Sequence, residues 1–368
     1  MTKVSTKQSA LPFTEERKAS IQRRLLQWYR IHQRDLPWRR DQDPYKIWVS
    51  EVMLQQTRVE TVIPYFHRFL ERFPTLEALA AADEADVIKA WEGLGYYSRV
   101  RNLHAAVKEV VEKHGGKVPD TLEAISQLKG VGPYTAGAIL SIAYNRRVPA
   151  VDGNVLRVFS RLFASADDIA RVQTRKKMET WAYHLIPESN PRDFNQALME
   201  LGAMVCTPTS PSCETCPIRS DCLAYQKGMQ HELPVKKKAK PPVSVSLVFG
   251  WIRDGDRVLL ERRPEAGLLA GMWGLPTLET DASDSVQALI VWMKKHGISI
   301  QPGETLGMVE HVFTHRKWHA TIIGGTCVGI KGELPQHWRW ATLDELETLA
   351  LPKVYQKAVQ TALSSIFA

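Results

Sequence analysis

LKGVGPYTAGAI, residues 128–139, sets Gly130 and Gly132 around Val131 and follows them with the small residues Thr135, Ala136, Gly137 and Ala138. Helical residues lead into the glycines, and a second helix is expected to start near Tyr134. Glycine at both positions lets a tight turn carry backbone N–H groups to the surface. The N-terminal end of the following helix adds a dipole that favours an anion. A lone Gly-x-Gly is usually an ordinary turn. Two helices joined by LxGVG, with small residues behind it, read as a hairpin that holds a phosphate backbone through Gly130, Val131 and Gly132. Such a grip positions a protein on nucleic acid without reading its sequence.

Some twenty residues on comes VPAVDGNVLRVFSRL. Asp152 sits in a loop just before an apolar-periodic helix (Val155, Val158, Phe159, Leu162), where a carboxylate caps the helix well. A second acid, Glu51, lies in KIWVSEVMLQQT beside Ile47, Trp48, Val52 and Leu54. On the polar edge of that helix it would be an ordinary surface group. Held against its apolar neighbours it would be protonated near pH 7 and able to act as a general acid. Two carboxylates in unlike settings, one protonated and one ionised, are what cleavage of a glycosidic bond needs.

Four of the five cysteines, Cys206, Cys213, Cys216 and Cys222, form a Cys-x6-Cys-x2-Cys-x5-Cys loop rich in proline. Four thiolates can close around zinc or around an iron–sulfur cubane, and spacing alone leaves both open. Cys327 stands apart in an apolar stretch and reads as a packed thiol. MTKVSTKQSALPF at the N-terminus lacks the apolar core of a signal peptide, and no apolar run is long enough to span a bilayer. The expectation is therefore an intracellular, cytoplasmic protein with no membrane partner. Hydrophobic residues at 44% and charged residues at 24% exclude a disordered, collagenous or coiled-coil chain. Forty-eight basic residues against 40 acidic give +8, a balance compatible with a polyanion partner.

From residue 15 to about 230 the pattern is helix after helix. Ile21, Leu25 and Tyr29 share one face; Val59, Val62, Ile63, Phe66, Leu70 and Phe73 share another. Asp83 reads as an N-cap, and Gly115-Gly116 ends the helix carrying Leu103, Val107 and Val111. LPVKKKAKPP has no apolar period and reads as a linker. Beyond it Val243, Val245, Leu247, Phe249 and Trp251 alternate as a half-buried strand, Asp254-Gly255 turns the chain, and RVLLER returns it. A helix over 284–296 with Val286, Leu289, Ile290 and Met293 on one face makes this second domain α+β.

Taken together and in this order, LPWR (36–39), SEVMLQQTRV (50–59), GLGYYSR (93–99), LKGVGPYTAGAI, VDGNVLRV (151–158), FNQALMELGA (194–203) and the cysteine loop resemble the helix-hairpin-helix DNA glycosylases, and within them the MutY-type adenine DNA glycosylases. The resemblance covers about residues 20–365. It implies a multi-domain chain with an all-α glycosylase domain over 1–233. In that domain a six-helix barrel with the hairpin takes about 36–150, and the N-terminal helix with about 151–228 forms the cluster region. A linker follows at 234–242 and a Nudix-like domain at 243–368. It implies a 4Fe-4S cluster on the four cysteines, and a monomer acting on double-stranded DNA that carries adenine opposite 8-oxoguanine or guanine. By the same resemblance Glu51 protonates the adenine, Asp152 stabilises the sugar cation, and Tyr134 and Asn154 support that carboxylate. Arg34, Trp38, Arg39, Leu54 and Gln196 match the adenine pocket. Gln56, Thr57, Leu94 and Tyr96 match positions that wedge into the duplex against the oxidised guanine. Phe313-Thr314-His315 matches the loop that reads 8-oxoguanine, with Thr314 where the family usually has serine; without the family, HVFTHRKWH is an ordinary strand and turn.

Rival readings are separable on the sequence. The endonuclease III branch, which couples base removal to strand cleavage, has a lysine where this chain has Tyr134. A non-catalytic damage binder would have no use for both Glu51 and Asp152. A nucleotide hydrolase is disfavoured because SVQALIVWMKKHG (285–297) stands where the Nudix metal box REUxEExG would be.

Overall fold

In the computed structural model, residues 11–237 and 240–367 are described. They divide into two compact units, one running up to Ala81 and resuming at Asn102, the other joining Ala82–Arg101 to the C-terminal region. Helix follows helix through α1 (Glu15–His32), α2 (Pro44–Leu54), α3 (Val59–Arg72), α4 (Leu76–Ala81), α5 (Glu84–Ala90) and α6 (Ser98–His114). The series continues with α7 (Leu122–Ile125), α8 (Pro133–Ile142), α9 (Gly153–Leu162), α10 (Val172–Leu185), α11 (Pro191–Met204) and α12 (Leu223–Gln226). Ile21, Leu25 and Tyr29 face inward along α1 as expected; on α3 Val62 and Phe66 are buried with Phe69, while Val59, Ile63 and Leu70 are half-buried. Asp83 occupies the N-cap of α5, though its side chain makes no capping bond.

Two packing regions place the site. One core gathers Leu25 of α1, Phe159 of α9, Trp181 of α10 and Phe194 of α11, with Cys206, Cys216 and Cys222 against it. The other packs Ile47 of α2 on Ala138 and Ile142 of α8, beside Ala150 and Tyr134. The small residues of α8 explain that approach. A Cβ on Gly137 would lie 1.9 Å from the Pro149 carbonyl oxygen, so only glycine lets the loop leading to Asp152 lie on this helix.

The second unit holds a mixed sheet of β1 (Val243–Asp254), β2 (Arg257–Arg262), β3 (Trp273–Gly274), β4 (Thr277–Glu279), β5 (Ile298–Val312), β6 (Arg316–Ile330) and β7 (Trp338–Thr342). The main order is β3-β2-β1-β6-β5, with β4 on β1 and β7 on β2. Among the described residues only β1 and β6 pair in parallel, Val243 opposite Arg316 through Arg253 opposite Thr326. The helices α13 (Ser285–Lys295), α14 (Leu343–Thr348) and α15 (Lys353–Ile366) complete it. Asp284 caps α13 and, as expected, the 254–255 turn joins β1 to β2.

One expectation is corrected. β1 is not half-buried: Val245, Leu247, Phe249 and Trp251 face a core that includes α15, while Val248 and Ile252 face a second core under α13. By compactness residues 82–101 group with the sheet. Val235 accepts the Ile169 N–H at 3.0 Å. Of the expected linker, 238 and 239 lie outside the described residues, and its other positions form no helix or strand.

Candidate active site

A cavity of about 480 Å³ opens in the helical unit. Glu51 from α2, Tyr134 from α8, Asp152, Gly153 and Asn154 at the start of α9, and Gln196 and Glu200 from α11 all line it. Sequence motifs separated by nearly 150 residues thus meet on one wall.

Glu51 is 5% exposed, which decides against the surface reading. The Tyr134 hydroxyl, expected to support Asp152, donates instead to the Oε2 of Glu51 at 2.5 Å. Burial lifts the Glu51 carboxyl to about 7; the tyrosine bond opposes the shift and the Asp152 charge adds to it. The Tyr134 phenol itself is pushed well above its usual value by burial and by Glu51, so it stays a donor.

Asp152 both caps a helix and faces the cavity. It is the N-cap of α9, its Oδ1 accepting the Val155 N–H at 2.7 Å, and it still lines the cavity. The Asn154 amide donates to its other oxygen at 2.9 Å. Arg157 in turn donates to Asn154 Oδ1 at 2.8 Å and to the Gly202 carbonyl at 2.7 Å, which fixes the amide's orientation. Burial raises the Asp152 carboxyl, and these donors with the Arg157 charge oppose the rise. The two carboxyls therefore differ by counter-donors: one strong hydroxyl for Glu51, a backbone and an amide N–H for Asp152.

The floor of the cavity carries a group that the sequence reading passed over. Glu200 is 1% exposed and takes Arg34 Nε at 2.8 Å and Nη2 at 2.9 Å, the Arg34 N–H at 3.0 Å, and Arg39 Nη2 at 2.8 Å. Burial works against its ionisation, yet the two guanidinium groups hold it down at about 2. Arg34 and Arg39 are thus cavity residues, as expected, but their charge is already answered. The available signal was an acid amid Ala197, Leu198 and Leu201 on the apolar face of α11. Trp38, Leu54, Gln56 and Thr57 line the same cavity, Trp38 6% exposed and Gln56 at a left-handed φ of 58°.

Other expected contacts lie elsewhere. At the hairpin, Gly130 adopts φ 77° and a Cβ there would also meet Asn102 Cβ at 2.6 Å, and Gly132 caps α8. Val131 is buried and its N–H donates to Leu128 O at 3.1 Å, so the exposed positions of the turn are the two glycines. Leu94 is 7% exposed and does not protrude, whereas Tyr96 is 49% exposed at φ 47°. Phe313 anchors its loop edge-on to Trp318, ring centroids 4.9 Å apart, and leaves Thr314 and His315 exposed. The Thr314 hydroxyl lies 3.2 Å from the Tyr96 hydroxyl.

The four cysteines of the loop lie near one another. Burial pushes the Cys216 thiol to about 12, and Cys206, Cys222 and Cys213 are all near enough to add to the rise. Arg161 Nη1 lies 3.3 Å from Cys206 Sγ. No three His, Cys, Asp or Glu side chains among the described residues converge as ligands of one metal ion. A cubane binds each thiolate to a different iron, so its ligands stand farther apart than those of one zinc ion. The donor set fits such a cluster.

A buried acid and a capped carboxylate line one cavity of a helical unit that also carries a glycine hairpin, the arrangement of a base-excision DNA glycosylase, and the chain continues into a sheet-containing unit. Residues 49–183 match the HhH-GPD superfamily of base excision DNA repair proteins, and 248–361 match the NUDIX domain. The chain is 36% identical to the adenine DNA glycosylase of Arabidopsis thaliana over 96% of its own length and 66% of that enzyme's. It is 33% identical to the adenine DNA glycosylase of Buchnera aphidicola subsp. Schizaphis graminum, over 91% of this chain and 96% of that one. A solved thermostable thymine-DNA glycosylase superposes with a TM-score of 0.53 at 28% identity, covering 58% of this chain and 98% of its own. The chain belongs to the adenine DNA glycosylases, the DNA N-glycosylase hydrolases that begin base excision repair.

Proposed function

We propose that this chain removes adenine paired with 8-oxoguanine or guanine in double-stranded DNA, by hydrolysis and without cutting the strand. The observation that carries the reading is the buried Glu51, lifted to about 7 in the cavity that Asp152 also lines. The adenine leaves the stack to reach that cavity. Glu51 delivers a proton to N7 and makes the base a better leaving group. Positive charge develops on the sugar as the bond lengthens, and the Asp152 carboxylate, oriented by Val155 and Asn154, stabilises it. Tyr134 holds Glu51 in place and, having no amine, forms no Schiff base, so water completes the reaction.

Gly130 and Gly132 take a backbone phosphate, Gln56, Thr57 and Tyr96 contact the duplex around the lesion, and Phe313-Thr314-His315 reads 8-oxoguanine. Cys206, Cys213, Cys216 and Cys222 hold a 4Fe-4S cluster, which ties the 206–222 loop together. The enzyme works as a monomer inside the cell, where four thiols stay reduced. No helix among the described residues is long and apolar enough to cross a membrane.

The test is a single-turnover assay on a duplex with one adenine opposite 8-oxoguanine, sampled with and without alkali. Strand breaks that need alkali are expected. Breaks without alkali, or no abasic product at all, overturn the reading.

A further inference from the structure

We propose that Arg175 grips a backbone phosphate of the extruded nucleotide at the mouth of the cavity. The inference rests on the proposed reading of that cavity as the seat of the flipped adenine.

Arg175 stands on the second turn of α10, outside every motif that suggested the enzyme class, yet it lines the same cavity as Asp152, Gly153 and Asn154. It is exposed, and its guanidinium makes no hydrogen bond or ion pair among the described residues. Burial raises the Glu179 carboxyl one turn on and the Arg175 charge opposes that rise, but the two form no bond. Cation before acid at this spacing is the weaker order on a helix.

The other cations near the cavity are committed. Arg34 and Arg39 share Glu200, and Arg157 donates to Cys206 O, Asn154 Oδ1 and Gly202 O. A base enters attached to its sugar, and the sugar is flanked by two phosphates. When the anomeric carbon faces Asp152, those phosphates lie at the rim of the wall that Asp152, Gly153 and Arg175 form. A free guanidinium matches a phosphate in charge and in paired-donor geometry.

The chemistry also says where the effect appears. A bare cation beside a sugar that is becoming positive would oppose the reaction, whereas a cation already neutralised by a phosphate does not. Arg175 is therefore a positioning residue whose loss weakens binding and extrusion far more than the step that follows.

The experiment uses the full-length protein carrying Glu51→Gln, which halts base release, and a duplex with 2-aminopurine at the target position opposite 8-oxoguanine. Adding Arg175→Ala is expected to weaken binding about tenfold at 0.1 M salt and to make the salt dependence shallower by about one unit of slope. It should also cut the fluorescence rise that reports extrusion. Arg175→Lys should keep the slope and lose part of the rise. A neutral methylphosphonate at either phosphate of the target nucleotide identifies the contact. At one of the two it should weaken the arginine protein about as much as Arg175→Ala does, and cost the alanine variant nothing more. Unchanged affinity and slope in Arg175→Ala, or losses from arginine and phosphate that simply add, overturn the proposal. Adenine release by the otherwise native chain is scored separately, so failure of the enzyme reading is not mistaken for failure of this contact.

Discussion

At the scale of single residues, Glu51 sets a trade between chemistry and stability. Its pKa near 7 lies above the 4.5 of an unfolded chain, so it favours the folded state fully below pH 4.5 and loses that contribution as pH rises through 7. The loss amounts to about 3 kcal/mol. Glu51→Gln keeps an acceptor for Tyr134 but has no proton to lose. It is expected to abolish adenine release while retaining DNA binding, and to outlast the native chain in denaturation at pH 8 but not at pH 4. Native activity should fall with pH above about 7; a flat rate profile, or full activity in the variant, refutes the acid assignment. Glu200 behaves in the opposite sense. Held at about 2, it stabilises the fold above pH 4.5 and ceases to as pH falls toward 2. Glu200→Gln should cost about 3 kcal/mol at pH 7, mostly from leaving Arg34 and Arg39 without their anion, and the cost should shrink near pH 3. Urea denaturation at the two pH values measures both. Glu51 was legible because a familiar motif surrounds it. Glu200 lay inside a quoted motif and was passed over, since an acid amid apolar residues reveals its partner only when Arg34 and Arg39, far off in sequence, fold against it.

At the scale of elements, helix placement was legible wherever the period of 3.6 was unbroken and the ends were marked. α6 ends at Gly115-Gly116 and α13 begins at Asp284 as the residues indicate. β1 was misread because alternation at 243–251 implies one wet face, and only the return of α13 over Val248 and Ile252 covers the other. The close crossing of α8 and the 149–152 loop was legible only as a run of small residues whose purpose the fold supplies. Gly137→Ala would drive a methyl into the Pro149 carbonyl, and relief requires moving the segment that carries Asp152. The expected cost is about 1–3 kcal/mol in thermal unfolding. The single-turnover rate should fall by up to about a hundredfold, since catalytic groups tolerate little displacement. A variant that loses stability at full rate would show that α8 does not position Asp152.

Across the whole molecule, sequence patterns showed that there are two architectures but not where one ends. Residues 82–101 carry helical periodicity and sit between helical neighbours in sequence, so nothing local assigns them to the sheet unit. What assigns them there is a set of specific bonds. Lys89 donates to the carbonyls of Glu347 and Leu349, Glu92 accepts from the Leu351 N–H and Gln356, and Tyr96 meets Thr314. This unit therefore joins a segment expected to wedge into DNA to the loop expected to read the opposite base. The helix α13, where a Nudix hydrolase would carry metal-binding carboxylates, has none. The Thr314 hydroxyl is then asked to do two things, bond Tyr96 in the free protein and bond 8-oxoguanine in the complex. Thr314→Ala removes both. If the loop reads the damaged base, adenine release opposite 8-oxoguanine should slow by about fivefold, the worth of one hydrogen bond, while release opposite guanine changes little. If the hydroxyl serves only to fasten Tyr96, both substrates slow together, because the wedge is needed whichever base stands opposite. The ratio of the two single-turnover rates decides between reading and fastening, and it is unaffected by any general loss of stability that the two substrates share.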